Sequence, residues 1–427
     1  MMRYIIATLG CKVNQYESEA MELILRARGH EKAEKGEADV ILVNSCAVTA
    51  EGERKVRQCV RRLRKENPRA VLCISGCYAQ IDPEGAKALG AAVVYGTADR
   101  MGFLEAAEAA AAGAERTFVP DSKERRPFEQ LPAGAYAGHA RAYLKIEDGC
   151  DNFCSYCVIP YARGRVRSLG VEECAAQCAA LAAAGYREIV LTGIEIASYG
   201  KDLEGGVTLI DACEAMAAAA GEARLHLGSL EPRCVTEDFA ARLEKLNVCP
   251  HFHLSLQSGC DATLKRMHRH YDTALFYGAV ERLRRHFPGC GITADLICGF
   301  PGETEEEFAE TLRFIERCAF SDMHIFPYSV RPGTLAGRME GQLPQRVKNE
   351  RSARAIALAG DMTERYLQSC VGKTLSVLFE TEKEGRSLGH GENYAEVAVE
   401  GEGLRGSVKK VRITAAEGRR LLGELAE

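Results

Sequence analysis

The chain contains 427 residues, of which 46% are hydrophobic and 27% are charged, and its formal net charge is −5. These proportions are typical of a globular protein of two or three domains, and the lack of an apolar run of 18 residues argues against a membrane span. The acidic balance means that any contact with nucleic acid has to come from local basic patches.

Cysteine usage indicates both the chemistry and the compartment. The chain has 18 cysteines, and its first residues lead directly into a strand pattern without the features of a signal peptide. Cysteines in a reducing compartment point to metal binding or redox chemistry rather than to disulfides. We therefore expect a cytoplasmic protein that does not associate with a membrane.

Strand and helix patterns alternate over residues 1–114. Short apolar stretches predict strands at 4–9, 40–44, 70–75 and 92–95, and helical periodicity predicts helices at 18–28, 53–66 and 102–112. The continuous apolar strand at 40–44 is typical of a parallel strand that is covered on both faces. The pattern predicts a doubly wound α/β domain.

Three cysteines, Cys11, Cys46 and Cys77, lie just past the first three of these strands. Because ligands bind at the carboxyl ends of parallel strands, we expect the three thiols to meet in one crevice. A small residue precedes each cysteine and would let the backbone approach an inorganic cluster closely. The alternative is three unrelated buried thiols, since cysteine is among the most buried residue types.

A second alternation follows a change in composition. Prolines, glycines and a charged segment predict a linker over residues 115–138. Residues 139–368 predict six strands at 143–146, 188–191, 224–227, 251–256, 292–297 and 322–327, separated by helices such as 171–184, 209–220 and 305–318. Six βα units suit a partial TIM-like (βα)6 barrel, with its chemistry at the carboxyl ends of the strands.

Cys150, Cys154 and Cys157 follow the first strand of this barrel with the spacing C-x3-C-x2-C. Three thiolates at this spacing can hold three corners of a [4Fe–4S] cluster. The next cysteine is Cys174, so one iron is expected to lack a protein ligand and to be open to a substrate. The alternative is a chance spacing of three buried cysteines.

Residues 369–427 divide into strand-sized pieces at 374–379, 395–399 and 407–413, separated by glycine and charge clusters. This pattern fits a small β-barrel of a kind common in RNA binding. Basic residues cluster at 409–412, along the helix at 54–65, and at Arg163, Arg165 and Arg167. We expect these clusters to contact phosphates, and the alternative is a set of solvated faces.

The stretch 149–164, Gly-Cys-Asp-Asn-Phe-Cys-Ser-Tyr-Cys-Val-Ile-Pro-Tyr-Ala-Arg-Gly, closely resembles the methylthiotransferases among the radical S-adenosylmethionine (SAM) enzymes. The loops Leu-Gly-Cys-Lys-Val-Asn-Gln, Val-Asn-Ser-Cys-Ala-Val-Thr and Ser-Gly-Cys-Tyr-Ala-Gln resemble the ligand loops of that family's N-terminal domain, and 391–397 resembles the core of a TRAM domain. The resemblance implies two [4Fe–4S] clusters. The catalytic one, on Cys150, Cys154 and Cys157, would make a radical from SAM, and the other would hold the sulfur to be inserted.

The same resemblance implies contacts with SAM from four loops that follow barrel strands. These loops contain Gly193 and Glu195 after the second strand, Glu231 after the third, Gln257 after the fourth and Gly299 after the fifth. An ordinary strand-to-helix turn is the alternative for the Glu195 loop. For Glu231 the alternative is an acid at the positive end of a helix dipole.

The Cys-Lys-Val-Asn-Gln loop most resembles family members that act on N6-threonylcarbamoyladenosine in tRNA. The resemblance implies insertion of a methylthio group at C2 of this nucleoside at position 37, in the anticodon loop. It also implies an electron donor of the flavodoxin or ferredoxin type and leaves the sulfur source open. Alternatives are the same chemistry on isopentenyladenosine or on a ribosomal-protein aspartate, or a non-catalytic iron–sulfur protein that binds RNA.

Overall fold

The computed structural model describes residues 1–132 and 140–426. Its first sheet contains six parallel strands: β1 (Arg3–Thr8), β2 (Glu31–Lys32), β3 (Val40–Ser45), β4 (Val71–Gly76), β5 (Val93–Tyr95) and β6 (Arg116–Phe118). Their order is β2-β1-β3-β4-β5-β6, so the winding reverses between β1 and β3. This order confirms the predicted doubly wound α/β fold, in which ligands bind where the winding reverses.

Helices cover both faces of this sheet: α1 (Lys12–Ala27), α2 (Ala50–Glu66), α3 (Cys77–Ile81), α4 (Pro83–Ala88) and α5 (Arg100–Ala110). Met21 of α1 and Phe103 of α5 belong to the apolar core on one face. Val56 and Val60 of α2 belong to the core on the other face. Burial on both faces explains why the strands are continuously apolar.

Helix α1 begins at Lys12, well before the start predicted at residue 18. Cys11 occupies the N-cap position, and its side chain makes no capping hydrogen bond, so the sequence carries no start signal there. In contrast, Thr49 caps α2 by accepting a hydrogen bond from the Gly52 N–H at 3.0 Å. The early start of α1 places Lys12 in the first helical turn, directly beside Cys11.

Part of the segment predicted as a linker belongs to the first sheet, because β6 pairs in parallel with β5. Residues 119–132 continue without a helix or a strand. They are held to helices α3 and α1 by hydrogen bonds from the Gln80 amide to the Pro120 carbonyl oxygen at 2.7 Å and from the Tyr16 hydroxyl to the Leu131 carbonyl oxygen at 3.0 Å. The rest of the predicted linker, 133–138, and residue 139 lie outside the described residues.

The second region forms the predicted partial barrel. Its strands are β7 (Ala142–Lys145), β8 (Glu147–Asp148), β9 (Arg167–Ser168), β10 (Glu188–Thr192), β11 (Arg224–Leu227), β12 (His251–Gln257), β13 (Gly291–Cys298) and β14 (Asp322–Pro327). Two parallel sheets, β7-β10-β11 and β12-β13-β14, are joined where the Leu230 N–H donates to the His253 carbonyl oxygen at 2.8 Å. The six long strands therefore make one curved wall, and β8 pairs with β9 beside it.

The helices of this region in the described ranges are α6 (Ile159–Arg163), α7 (Val171–Ala183), α8 (Leu209–Ala219), α9 (Glu237–Leu243), α10 (Asp261–Arg266), α11 (Thr273–His286), α12 (Glu305–Cys318) and α13 (Gln345–Cys370). Single 3₁₀ turns occupy Ile196–Ser198, Glu204–Gly206, Pro232–Cys234 and Ala336–Arg338. Thr304 begins α12 with a reciprocal capping box to Glu307, which is why its predicted start is correct. None of the helices in the described ranges is long and apolar enough to cross a bilayer.

The C-terminal segment closes into a barrel of five strands in the order β15-β16-β17-β19-β18. They are β15 (Thr374–Lys383), β16 (Arg386–Gly391), β17 (Glu396–Glu400), β18 (Val408–Glu417) and β19 (Arg420–Leu425). The barrel is tied to the amino ends of the parallel strands: Arg224 donates to the Ser376 carbonyl oxygen at 2.8 Å, and Arg419 pairs with Asp322 at 2.6 Å. It has the architecture expected of a TRAM-like module.

Candidate active site

The loop that carries Cys150, Cys154 and Cys157 begins directly after β8. Gly149 starts it with a left-handed φ of +88°, and a Cβ atom there would lie 2.0 Å from the Arg165 carbonyl oxygen, so only glycine fits this turn. The three thiols are partly exposed and form no disulfide. Each is close enough to act electrostatically on the others, so the structure brings the predicted triad together at the carboxyl edge of the barrel.

Polar contacts hold this loop against the end of α10. The Ser155 N–H donates to the Met267 carbonyl oxygen at 3.0 Å, and the Ser155 hydroxyl donates to the Arg266 carbonyl oxygen at 2.8 Å. Arg269 donates from Nη1 to the Cys154 sulfur at 3.2 Å. This contact places a fixed positive charge beside the Cys154 sulfur.

Cys11, Cys46 and Cys77 lie at the carboxyl ends of β1, β3 and β4, which are neighbours in the first sheet. Gly10 has a φ of +112°, and a Cβ atom there would lie 2.8 Å from Cys46 Cβ and 3.0 Å from its sulfur. Burial raises the pKa of the Cys77 thiol to about 11; Arg163 opposes this rise, whereas Cys46 and Cys11 add to it. These thiols therefore meet in one crevice, as the strand-end positions predict.

Both groups of cysteines suit a [4Fe–4S] cluster with one open iron. Each offers three thiols without disulfides on loops whose glycines leave room for close approach. In one group the Ile159 N–H also points at the Cys157 sulfur at 3.4 Å, a contact of the kind that tunes the potential of a bound cluster. The residues present therefore fit the two clusters that the sequence predicts.

The two groups share one crevice. Burial raises the pKa of the Cys157 thiol to about 12, and the nearby Cys154 and Cys77 add to the rise. Helix α3, which begins at Cys77, packs against α6, which follows Cys157. The Thr97 hydroxyl donates to the Ala162 carbonyl oxygen of α6 at 2.6 Å. The carboxyl edges of the sheet and of the barrel therefore face each other.

A buried carboxylate, Glu17 of α1, ties the two regions together. It accepts hydrogen bonds from Arg100 at 2.7 Å, from Lys145 at 3.0 Å and from Arg163. Burial raises the pKa of Glu17, but the charges of the three cations outweigh burial and hold this pKa well below its usual value. One ionised carboxylate therefore joins side chains of α5, β7 and α6.

Arg163 does not contact phosphates as the sequence predicts, because its side chain is 0% exposed. Besides its bond to the buried carboxylate, it donates to the Asn14 side-chain oxygen at 2.6 Å. Arg167 likewise forms an ion pair with Asp148 at 2.9 Å. Of the three predicted arginines here, Arg165 alone keeps an exposed guanidinium, at 54%.

Three of the residues predicted to contact SAM, Gly193, Glu195 and Glu231, lie together at the carboxyl ends of β10 and β11. The Glu195 N–H donates to Glu147 Oε2 at 2.7 Å, and a Cβ atom at Gly193 would lie 2.7 Å from the same oxygen. Burial raises the pKa of Glu195 to about 7, with Arg269 lowering it and Glu231 raising it. Glu195 Oε1 is buried without a hydrogen-bond partner in the described chain, which leaves an acceptor for a ligand.

Gln257 and Gly299 have local structural roles. Gln257 has a left-handed φ of +67° where the register between β12 and β13 shifts. The Gly299 N–H donates to Glu303 Oε1 at 3.1 Å, and a Cβ atom there would lie 2.6 Å from Lys348 Cγ. Close packing against α13 therefore explains the glycine at 299. Within the described ranges, neither residue has a buried side-chain atom without a hydrogen-bond partner, as Glu195 has.

A cavity of about 910 Å³ lies between the cysteine crevice and the C-terminal barrel. Its wall combines the first turn of α1, the ends of β10 and β11, the inner faces of β12, β13 and β14, and the neighbouring parts of α13 and the closed barrel. The polar residues in this wall include Cys11, Lys12, Ser229, His251, His253, Thr293, Asp295, Asp322, His324, His390, Tyr394, Glu396 and Arg419. The volume suits a ligand of nucleoside size.

A chain of hydrogen bonds runs along this wall. His226 joins Glu188 at 3.1 Å and His251 at 2.8 Å, and His251 reaches the Thr293 hydroxyl at 3.1 Å. The same hydroxyl lies 2.9 Å from His253 Nδ1. Burial lowers the pKa of His226 and lowers that of His251 still further, so both rings are neutral at pH 7.

Sequence reasoning missed Arg269, Lys12 and the histidine chain. The only signal for Arg269 is the basic run at 268–270, directly after α10. In β12, the alternation of His and Ser with Phe and Leu at 251–256 is the signal for a polar inner face. Lys12 carries no signal of its own beyond its place after Cys11.

Comparison with known proteins agrees with this geometry. The model of the radical SAM superfamily matches residues 144–315, and the model of uncharacterized protein family UPF0004 matches residues 3–96. The structure of the radical SAM methyltransferase TsrM from Kitasatospora setae, with cobalamin and a [4Fe–4S] cluster bound, has a TM-score of 0.57 at 16% identity, covering 79% of this chain and 77% of that one. This likeness is one of fold.

Two relatives cover nearly the whole chain. A Bacillus subtilis protein named threonylcarbamoyladenosine tRNA methylthiotransferase MtaB is 39% identical over 96% of this chain and 93% of its own length. A Moorella thermoacetica protein named tRNA-2-methylthio-N(6)-dimethylallyladenosine synthase is 34% identical over 99% of this chain and 98% of its own length.

The open barrel, the C-x3-C-x2-C loop at its carboxyl edge and the superfamily match define a radical SAM enzyme, a class that uses a [4Fe–4S] cluster and SAM. Within this class the chain belongs to the family of radical SAM tRNA methylthiotransferases. Membership explains why the same molecule has a second group of three cysteines facing the first.

Proposed function

We propose that this enzyme inserts a methylthio group at C2 of N6-threonylcarbamoyladenosine at position 37 of tRNA. The observation that carries the proposal is the pair of cysteine triads that face each other across one crevice, beside a cavity of about 910 Å³. The substrate is supported by the 39% identity to a protein named for threonylcarbamoyladenosine, against 34% to one named for dimethylallyladenosine.

The six cysteines have two roles in this proposal. Cys150, Cys154 and Cys157 would hold the cluster that binds SAM, and the cysteines at the ends of β1, β3 and β4 would hold the cluster that carries sulfur. When bound, these groups and SAM supply the radical that removes the C2 hydrogen and the sulfur that replaces it. The protein supplies the thiolates and keeps the two triads on one rigid frame.

The chain's own polar groups would orient SAM. The free oxygen of Glu195 can accept a hydrogen bond from an amino or hydroxyl group. Glu231 is held by Arg233, whose Nε lies 2.8 and 2.9 Å from its two oxygens, and this contact fixes its direction. The backbone at Gly193 lines the cavity wall, and Gln257 and Gly299 complete the proposed set.

RNA would approach over exposed groups around the crevice. Arg54, Lys55, Arg61, Arg62 and Lys65 are exposed on α2, and Lys409, Lys410 and Arg412 are exposed on β18. Tyr161 is 48% exposed beside the cysteine loop and stacks edge-on with Phe153 at 5.9 Å, so it offers a base a stacking surface. Base chemistry requires the nucleoside to be unstacked, and a single-stranded anticodon loop allows this at low cost.

The remaining parts of the proposal concern the cell and the chain. We assign the enzyme to the cytoplasm, where tRNA is modified, and a flavodoxin or ferredoxin as its electron donor. Residues 1–114, 139–368 and 369–427 would form its three domains, and the segment 115–138 would join the first two, with its strand β6 in the first sheet.

Reaction of the reconstituted enzyme with three substrates tests the function. Anticodon stem-loops with N6-threonylcarbamoyladenosine or isopentenyladenosine, and a ribosomal protein with the target aspartate, are each incubated with SAM and a reductant. Mass spectrometry should detect the methylthio product from the threonylcarbamoyl stem-loop alone. Product from another substrate would move the assignment to that substrate, and cleavage of SAM without any product would contradict the function.

A further inference from the structure

Part of the inner wall of the cavity carries hydrogen-bonding side chains, which suit a polar substituent better than a hydrocarbon tail. His253, Thr293, Asp295 and His324 project into it from β12, β13 and β14. Covering such groups with an apolar substituent would remove their water without replacing its hydrogen bonds, which costs binding energy. The wall therefore fits a substituent that carries hydrogen-bonding or charged groups of its own.

The carboxylates in this wall already have partners. Asp295 lies 3.2 Å from His253 Nε2, Asp322 pairs with Arg419 at 2.6 Å, and Glu396 pairs with an arginine of β19 at 2.6 Å. Each of these acidic groups thus has a hydrogen-bond or ion-pair partner in the protein. They do not call for a cation from the ligand.

Lys12 is the exception among the charged groups of the wall. The wall contains one lysine, Lys12, and one arginine, Arg419, among the described residues. Arg419 forms an ion pair with Asp322. Within residues 1–132 and 140–426, the Lys12 side chain forms no direct hydrogen bond or ion pair, and its electrostatic interactions are with Arg141 and Glu188. A half-buried ammonium group without a carboxylate partner is costly unless a ligand supplies one.

The surroundings of Lys12 contain charges of both signs: burial lowers the pKa of its ammonium group, Arg141 lowers it further, and Glu188 opposes them. Glu188 is already held by Arg224 at 2.7 Å and by Arg141 at 3.4 Å, so its charge is shared between two guanidinium groups. An anion in the cavity would therefore meet an ammonium group that the protein leaves unpaired.

We propose that Lys12 binds the carboxylate of the threonylcarbamoyl substituent and so selects this nucleoside against one with an isopentenyl group. The inference rests on the proposed function and deepens it, because Lys12 directly follows Cys11 in the first turn of α1. A base whose C2 meets sulfur at the Cys11 site has its substituent within the same cavity. The Thr293 hydroxyl lies between His251 Nε2 and His253 Nδ1 and keeps one acceptor lone pair for a polar group of the substituent.

The experiment measures binding of the holoenzyme to anticodon stem-loops that differ only at adenosine 37. One carries the threonylcarbamoyl acid, the second its methyl ester, which removes the charge and keeps the shape, and the third an unmodified adenosine. A charge-assisted hydrogen bond predicts that the acid binds about 10- to 100-fold more tightly than the ester. The Lys12→Met variant should reduce this ratio to within about twofold, and Lys12→Arg should retain most of it.

Lys87→Met is the matched control, because Lys87 pairs with Glu84 on the surface at 2.8 Å and should leave the full ratio. Equal binding of acid and ester by the wild-type enzyme would overturn the inference, even if Lys12→Met lost its iron. So would an unchanged ratio in a Lys12→Met protein with full iron content. Weaker SAM binding by Lys12→Met without RNA would show that Lys12 pairs with the SAM carboxylate instead.

The outcomes separate this inference from the proposed function. If the enzyme distinguishes acid from ester but forms no methylthio product, the function fails and the carboxylate site stands. If the product forms and the acid and ester bind alike, the function stands and the role of Lys12 is wrong.

Discussion

The two cysteine triads reach similar arrangements by different routes. Cys150, Cys154 and Cys157 come from one loop, which a glycine turn and contacts to α10 hold in place. The N-terminal triad comes from three separate loops, which meet only because β1, β3 and β4 are neighbours in the sheet. The first triad therefore depends on local structure and the second on the topology of a whole domain, so perturbations should affect them separately.

The largest expected effect comes from removing the triad on the single loop, Cys150, Cys154 and Cys157, called the local triad below. Replacing Cys150, Cys154 and Cys157 by Ala should abolish both SAM cleavage and methylthio transfer, because both depend on the radical. Iron content should fall from about eight to about four per chain. Product formation by this variant would refute the role of the loop.

Removing the N-terminal triad should block the reaction at a later step, after SAM cleavage. With Cys11, Cys46 and Cys77 replaced by Ala, iron should again fall to about four per chain, yet 5′-deoxyadenosine should still form from SAM while the methylthio product disappears. Cys59→Ala on α2 is the control and should keep about eight irons. Loss of SAM cleavage in the triple variant would show that the triads do not act separately.

The contact between the two regions should matter next. Arg163→Met leaves the buried Glu17 and Asp148 short of a cation, and the free energy of unfolding should fall by about 3–5 kcal/mol. Arg165→Met, whose partner Asp151 lies at 3.1 Å on the surface, should change it by less than about 1 kcal/mol. Denaturant titration measures both free energies of unfolding. Similar decreases in the two variants would contradict a stabilising role of the cations around the buried Glu17.

Acidification should destabilise the wall of the cavity. Burial holds the pKa of His251 well below 6.5, and the nearby His226 lowers it further. Below pH 6.5 His251 becomes protonated in the unfolded chain but stays neutral in the folded chain. Its contribution to the free energy of unfolding is therefore complete above pH 6.5 and declines as the pH falls below it. One such histidine accounts for up to about 2 kcal/mol at pH 5.

Denaturant titrations at pH 7 and pH 5 measure this decline, which His251→Gln should reduce. His286 serves as the control of opposite sign, because hydrogen bonds to Glu237 and Glu244 raise its pKa. His286→Gln should therefore make the decline steeper. Equal declines in all three proteins would contradict a neutral, buried His251.

The smallest effect separates close packing from backbone strain. Gly10→Ala places a Cβ atom 2.8 Å from Cys46 Cβ, whereas Gly29 shares a positive φ but has nothing within 4 Å of the same position. Both variants pay for the left-handed backbone, and Gly10→Ala should cost about 1 kcal/mol more. Gly10→Ala should also reduce iron binding at the N-terminal triad alone. Loss of iron from Cys150, Cys154 and Cys157 would contradict the independence of the two triads.

Much of the fold can be predicted from apolar periodicity. The strands predicted at 224–227 and 322–327 and the helix at 305–318 have the bounds that the structure gives. Where local signals are weak, the prediction fails: α1 begins at an uncapped cysteine, β16 (Arg-Ser-Leu-Gly-His-Gly) contains a single apolar side chain, and Gly and Glu interrupt the apolar residues of β19 (Arg-Leu-Leu-Gly-Glu-Leu), so neither strand is predicted. These strands are stabilised by barrel closure, which no single segment encodes.

The candidate site divides in the same way. The local triad can be recognised from its spacing, and the second triad from the rule for strand ends together with the family resemblance. The roles of Arg163 and Lys12 could not be predicted, since both depend on partners remote in sequence. Arg163 is buried against Glu17, 146 positions away, and Lys12 gains its setting from strands of the barrel.

The proposed activity is the addition of a methylthio group to N6-threonylcarbamoyladenosine in tRNA. Mass spectrometry of the nucleosides in tRNA from a strain in which the gene has been deleted tests this activity directly. 2-Methylthio-threonylcarbamoyladenosine should disappear and its unthiolated precursor should accumulate, and both should return to their original levels with the wild-type gene but not with the Cys150→Ala gene. An unchanged level of the methylthio nucleoside in the deletion strain would contradict it.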